Sequence, residues 1–187
     1  MSDAEHWDGR WADADPPGDP EPWLVRAADR LPSSGQAVDL AGGQGRNALW
    51  LAGRGLDVTV VDVSAVGLSR AEATAEERGL ALTTLRRDLP TEGPPPGPWD
   101  LAVIVRYLDR PLLAALPSVL ADAGLVAFSQ PTVVNLERHE HPREQFLLAE
   151  GEMASLVDAI DGLEVVELFE GWTPEGTHEA QLLARRR

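Results

Sequence analysis

Three glycines and three carboxylates are the residues whose types and spacing could do chemistry. Gly42, Gly43 and Gly45 fall in the run DLAGGQG at 39–45. Glycines where a strand turns into a helix let the backbone approach a ligand and take positive φ. The helix start adds free N–H groups and the positive end of a dipole. Gly43-x-Gly45-x-x-Ala48 also fits a dinucleotide fingerprint, although a tight strand–helix turn would select the same glycines. Asp62 follows Gly45 by 17 residues and ends a β-branched run. A carboxylate there can accept from both hydroxyls of an adenosine ribose, or it can serve N–H groups of a helix starting near Ser64. Asp88 ends the next strand and suits either an adenine amino group or a turn before Pro90. Asp39 lies inside the first strand, and a buried carboxylate needs a partner. That partner is either the N–H groups of the loop or a cationic group on a ligand.

A second set concerns a substrate. Arg106, Arg143 and His141 could bind an anion or simply carry surface charge. Tyr107, the only tyrosine, could contact a ligand or pack in the core. Trp7, Arg10 and Trp11 could close over a pocket or dock on the body, and Trp50 reads as core. His139 and His141 with Glu137 and Glu140 lack a defined third ligand, so no metal site is expected.

These residues need a scaffold to hold them. Short apolar runs at 38–40, 58–62, 81–87, 101–105 and 125–129 read as strands. Helical patterns fall between them at 46–54, at 64–78 with Ser64 as cap, and from Asp109 onward with Leu112, Leu116, Val119 and Leu120 on one face, ended by Gly124. Met153, Leu156, Val157 and Ile160 mark another helix, and 163–169 and 178–184 are two closing strands with no helix between them. Residues 12–22 and 90–98 are too rich in Pro, Gly and acidic residues for regular structure, and 131–150 reads as a polar insertion or lid. The expected fold class is α/β: a Rossmann-like, doubly wound, mostly parallel seven-stranded sheet with an antiparallel C-terminal hairpin and helices on both faces. Its ligand would sit at the carboxyl ends of the first strands. The expected organisation is an N-terminal arm and lid segment at 1–35 and one globular domain at 36–187.

Bulk properties narrow the function classes. The 187 residues suit one domain. The formal net charge of −15 repels nucleic acid and anionic lipid. No apolar run reaches membrane-spanning length, the N-terminus has no secretory h-region, and a cytoplasmic setting is the simplest reading. Cysteine is absent, which removes disulfides, thiolate metal sites and a cysteine nucleophile.

Ordered motifs then carry a resemblance. The stretches VDLAGGQGRNA at 38–48, VVDVS at 60–64 and WDLAVIVRY at 99–107 resemble the class I S-adenosylmethionine (SAM)-dependent methyltransferases. Within them the chain is most similar to the small tellurite-resistance-type (TehB-like) enzymes, through HWDGRW at 6–11, GRNALWLA at 45–52, RYLDRP at 106–111 and HPREQFLLAEGE at 141–152. Trp11 stands where that family more usually has tyrosine, and the Asn/Asp-Pro-Pro-aromatic motif of amino-group methyltransferases is missing. The resemblance implies SAM as cofactor and a small-molecule methyl acceptor such as a thiol or chalcogen oxyanion. It implies that Asp39, Ala41, Gly42, Gly43, Gly45 and Asn47 cradle the methionine part. Asp62 and Val63 would hold ribose and adenine, Asp88 and Leu89 would border adenine, and Val105, Arg106 and Tyr107 would flank the sulfonium. The competing readings are an NAD-dependent oxidoreductase and a non-enzymatic SAM-binding module. A chain of this length without any lysine, and so without a Tyr-x-x-x-Lys pair, speaks against the oxidoreductase.

Overall fold

Alternating and continuous apolar runs build one sheet at the centre of the molecule. A computed structural model describes residues 2–187, and among these seven strands pair in a single sheet. They are β1 (Gln36–Leu40), β2 (Asp57–Asp62), β3 (Thr83–Arg86), β4 (Trp99–Val105), β5 (Leu120–Pro131), β6 (Leu163–Trp172) and β7 (His178–Arg186). The order is β3-β2-β1-β4-β5-β7-β6. The first five strands are parallel, and β7 runs antiparallel between β5 and β6. The expected mostly parallel sheet with an antiparallel C-terminal hairpin is therefore present. Only five residues separate β6 from β7, too few for the crossover a parallel pair would need.

The helices are α1 (Asp3–Ala12), α2 (Pro22–Arg26), α3 (Arg46–Gly53), α4 (Ala65–Glu77), α5 (Leu89–Glu92), α6 (Arg110–Ala115) and α7 (Glu152–Asp158). Side chains of a strand point alternately to its two faces. Ala37, Val60, Leu101, Val103 and Leu183 pack with Trp23 and Leu24 of α2, Leu51 of α3 and Leu68 of α4. On the other face Leu40, Ile104, Phe128 and Leu182 pack with Leu112 and Leu113 of α6 and Met153 and Val157 of α7. By the same alternation Asp39 shares the α3 face with Ala37.

The structure departs from the sequence expectation in four places. α6 stops at Ala115 and a 3-10 turn covers Leu116–Ser118, because Pro117 has no N–H to continue the ladder. Val119 and Leu120 are consequently not helical, and Leu120 opens β5 opposite Trp99. Gly124 lies where β5 shifts register, and a Cβ there would stand 2.7 Å from the Trp99 carbonyl oxygen. A helical turn, α5, opens the stretch expected as loop. Residues 131–150 fold as two 3-10 turns, Val133–Glu137 and Glu144–Phe146. They are pinned to the body by Val133 N–H to the Leu148 carbonyl (2.8 Å) and Leu148 N–H to that of Pro131 (3.1 Å). Finally, α1 has a capping box: Glu5 N–H donates to Ser2 Oγ (3.3 Å) and Ser2 N–H to Glu5 Oε2 (2.8 Å). The S-x-x-E signal for this helix was present in the sequence.

Candidate active site

Chain direction across the sheet reverses between β1 and β4, since β2 and β3 lie to one side and β5 to the other. A crevice opens at the carboxyl ends of the strands at such a switch point. A cavity of ≈ 260 Å³ occupies this place. Among its lining residues are Asp39, Ala41, Gly42, Gly43, Asn47, Asp62, Val63, Asp88, Leu89, Val105 and Arg106. Gly45 is not among them. It takes φ 77° as N-cap of α3, and a Cβ there would stand 3.0 Å from the Ala71 Cβ, so it lets α3 approach α4.

The loop after β1 is shaped by close contacts. Gly42 N–H donates to the Val61 carbonyl (3.1 Å), and Gly45 N–H to the Gly42 carbonyl (2.8 Å). A Cβ on Gly42 would stand 2.8 Å from both Asp39 Oδ2 and Val60 Cγ1. Asp39 is 1% exposed and accepts from Ala48 N–H (3.2 Å), in the first turn of α3. Its bracing partner is thus the helix start rather than the glycine loop. Burial pushes its carboxyl up to about 7, opposed by the Ala48 N–H and the Arg46 charge. Ala41 and Arg106, at the ends of β1 and β4, hold left-handed backbones, with φ 56° and 57°. Such strain in non-glycine residues, of order 1–3 kcal/mol each, concentrates at functional sites.

Asp62 ends β2, nearly buried. Its Oδ2 accepts from Gly43 N–H (2.8 Å) and its Oδ1 from Ser64 N–H (2.8 Å). Burial pushes its pKa up, while the Ser64 and Gly43 N–H groups hold it down. Each oxygen keeps a further lone pair for a ligand hydroxyl. Asp88 caps α5 and accepts from Thr91 Oγ1 (3.0 Å), so it lines the cavity and also serves a turn.

α1 covers the glycine loop. Asp8 accepts from Ser64 Oγ (2.6 Å) and from Val66 N–H (3.1 Å), placing a carboxylate at the N-terminus of α4. Arg70 of α4 donates to the carbonyls of Ala14 and Asp15 and, through Nε, to Gln44 Oε1 (3.0 Å). The Trp11 ring lies against Gly43 and Gly67, where an added Cβ would meet it at 2.5 and 2.9 Å. Trp7 stacks on Trp11 at 6.1 Å, and both line the cavity with Asp3.

At the β4 side the chemistry is ionic. Glu21 lies just before α2 and is 4% exposed. Its Oε2 is 2.8 Å from an Arg46 guanidinium nitrogen and 3.6 Å from Arg106 Nε. Asn47 Oδ1 accepts from Glu21 N–H (2.9 Å), which fixes the approach of α2 to α3. Tyr107 lines the cavity and also packs against the core. Burial, then the carboxylates of Asp109, Asp88 and Asp3, hold its phenol neutral.

Other candidates lie elsewhere. His141 and Arg143 are exposed in the 131–150 segment and do not line the cavity. His139 contacts the Gly176 carbonyl (2.8 Å), and no cluster of three or more metal-ligating side chains exists among the described residues. Trp50 is half-buried, with Arg54 over its ring at 5.0 Å. Sequence reasoning missed Arg46 and Glu21. Arg46 directly follows the glycine loop and could have been found there; Glu21 sits in a Pro-rich stretch that gives no local signal.

Comparison with known proteins agrees with this geometry. Residues 37–124 match the family model described as a methyltransferase domain. No curated protein sequence matches the chain. Among solved structures, TehB from Haemophilus influenzae superposes with TM-score 0.72 at 22% identity, covering 89% of this chain and 62% of that one. A TehB-like SAM-dependent methyltransferase from Corynebacterium glutamicum gives 0.69 at 20%, covering 98% of each chain. A protein from a study of the conversion of a disulfide bond into a thioacetal group during echinomycin biosynthesis gives 0.74 at 18%, covering 98% of this chain and 92% of that one. The match over 37–124 is to a methyltransferase domain, and the fold of the whole chain is the one these solved structures share.

Proposed function

We propose that the protein transfers a methyl group from SAM to a small, soft nucleophile, a thiol or a chalcogen oxyanion. Bound SAM would supply an electrophilic methyl group on a sulfonium. Asp39, Ala41, Gly42, Gly43 and Asn47 would hold its methionine part, with the Asp39 carboxylate facing the amino cation. Asp62 and Val63 would take ribose, Asp88 and Leu89 adenine, and Val105 and Arg106 the sulfonium side. The glycine cradle fits this role because a single added methyl would fill it. Residues 1–35 serve as an arm whose α1 excludes water from the cleft, which favours an in-line displacement.

The observation that carries the acceptor class is the pair of arginines at the cavity, Arg46 and Arg106. Asp39 and Asp62 accept main-chain N–H groups, and Tyr107 is held neutral. Arg46 and Arg106 share one carboxylate, Glu21, and their side chains remain 33% and 52% exposed. Such a site suits a nucleophile that arrives anionic or ionises easily, as a thiol does beside guanidinium groups. The relative associated with conversion of a disulfide into a thioacetal is consistent with sulfur chemistry on this fold. The strongly acidic chain supports a small acceptor over a nucleic acid.

The test is S-adenosylhomocysteine release from SAM with a panel of thiols and of selenium and tellurium oxyanions. Turnover of at least one, lowered by Arg106→Ala mainly through KM, supports the reading. SAM binding without turnover of any acceptor would leave a SAM-binding module instead.

A further inference from the structure

Beyond the cavity, the α3 face of the sheet carries polar groups that the fold leaves without partners. Val105 pairs with Ser129 of β5, Ser129 with Gln181 of β7, and Pro131 with Glu179. Laterally paired residues share a face, so Val105, Ser129 and Gln181 form a row leading from the cavity edge, and Glu179 lies one pair further along β7. Ser129 is 0% and Glu179 2% exposed. Glu179 Oε1 accepts from Gln181 Nε2 (2.7 Å), but Glu179 Oε2 and Ser129 Oγ have no partner. Glu21, Arg106 and Glu175 are the charged groups around Glu179; Glu175 is tied to Arg26 at 2.6 Å, and Arg106 to Glu21 only at 3.6 Å.

A buried carboxylate oxygen without a donor destabilises the fold. A buried acceptor in this state has room in its hydrogen-bonding for a donor that a ligand can supply. Of the neighbouring Glu21–Arg46–Arg106 ion pairs, the long, half-exposed Arg106 contact is the weakest. We propose that Glu179, oriented by Gln181 and flanked by Ser129, recognises a cationic, hydrogen-bond-donating tail on the methyl acceptor, so that the acceptor is a small aminothiol. The inference rests on the methyl-transfer reading of the adjoining cavity. The thiolate end faces Arg106 and Arg46, and the ammonium end donates to Glu179 Oε2 and Ser129 Oγ.

Three thiols of similar size separate the possibilities: cysteamine, 2-mercaptoethanol and ethanethiol. Methyl transfer is measured with SAM, and cysteamine binding by calorimetry on protein loaded with S-adenosylhomocysteine. Wild-type kcat/KM should favour cysteamine over ethanethiol by about tenfold or more, as for a charge-assisted hydrogen bond. Glu179→Gln should cut the cysteamine-to-mercaptoethanol ratio by about fivefold or more and leave the SAM Kd within about twofold. Its Tm should hold or rise, which a structural role for the carboxylate would not allow. Ser129→Ala, a smaller change, should weaken cysteamine binding in the same direction. No preference for cysteamine in the wild type, or an unaltered ratio in both variants, overturns the proposal. If no thiol is methylated, the thiol half of the acceptor reading above fails on its own. Calorimetry then decides the subsite: cysteamine binding that Glu179→Gln weakens upholds it, and equal or absent binding overturns it.

Discussion

At the ends of β1 and β2 the buried carboxylates are met by main-chain N–H groups. At the ends of β4, β5 and β7 side chains pair with one another, and three buried polar atoms, Ser129 Oγ, Gln130 Oε1 and Glu179 Oε2, have no partner. Asp39 and Asp62 are fixed by Ala48, Gly43 and Ser64 N–H groups, all close in sequence to one or the other strand end. Glu21, Arg46, Arg106 and Glu179 come from four separate parts of the chain. The first region is preorganised backbone, suited to a constant cofactor. The second is ionic and incompletely satisfied, suited to a variable ligand that completes it.

The comparison breaks most sharply at the glycine cradle. Gly42→Ala puts a Cβ 2.8 Å from Asp39 Oδ2 and Val60 Cγ1. It should weaken SAM binding by roughly 100-fold and cost about 1–3 kcal/mol of stability, seen by calorimetry and thermal melts. A smaller loss, more than about tenfold, is expected for Asp62→Ala, which removes both the ligand acceptor and the Gly43 and Ser64 anchors. Unchanged affinity would take Asp62 out of the ribose role.

Asp39 sharpens the comparison through pH. An acid raised from 3.8 to about 7 in the folded chain keeps a proton that the unfolded chain has released. Its contribution therefore lowers stability as pH rises from about 4 to about 7 and is level above that. Asp39→Asn should melt progressively higher than the wild type across that window. A cationic amino group that needs the ionised carboxylate should bind up to about tenfold more weakly at pH 6 than at pH 8. A Kd flat over that range would mean that the carboxylate does not face the cation. The smallest effect is expected at the roof. Trp11→Ala opens α1 from Gly43 and Gly67 and should raise the SAM Kd by roughly threefold to tenfold, chiefly through faster release in stopped-flow fluorescence.

Legibility in the sequence followed locality. The strand positions, the cap at Ser64 and the cavity-lining set around Asp39, Gly42, Gly43, Asp62 and Asp88 are readable, because each depends on residues within one strand–loop–helix unit. The extent of α6 was misread: its apolar spacing continued past Pro117, where the backbone ladder could not. The 131–150 stretch looked like a lid by polarity, yet Leu147 and Leu148 are buried and hold it to β5. The charges of Arg143 and His141 suit an anion, and nothing local in the sequence shows that they sit away from the cavity.

The sequence by itself determined the strands, the glycine loop after β1 and the carboxylates at the strand ends, since period, glycine placement and strand-end residues are local constraints on backbone. Tertiary structure decided that Gly45 serves helix packing, that α1 seats Trp11 on the glycine loop, and that Glu21 joins Arg46 to Arg106. It also set Ser129, Gln181 and Glu179 beside Val105. Strand pairing and ion pairs between distant segments follow from how the layers close, and that closure is a property of the whole fold.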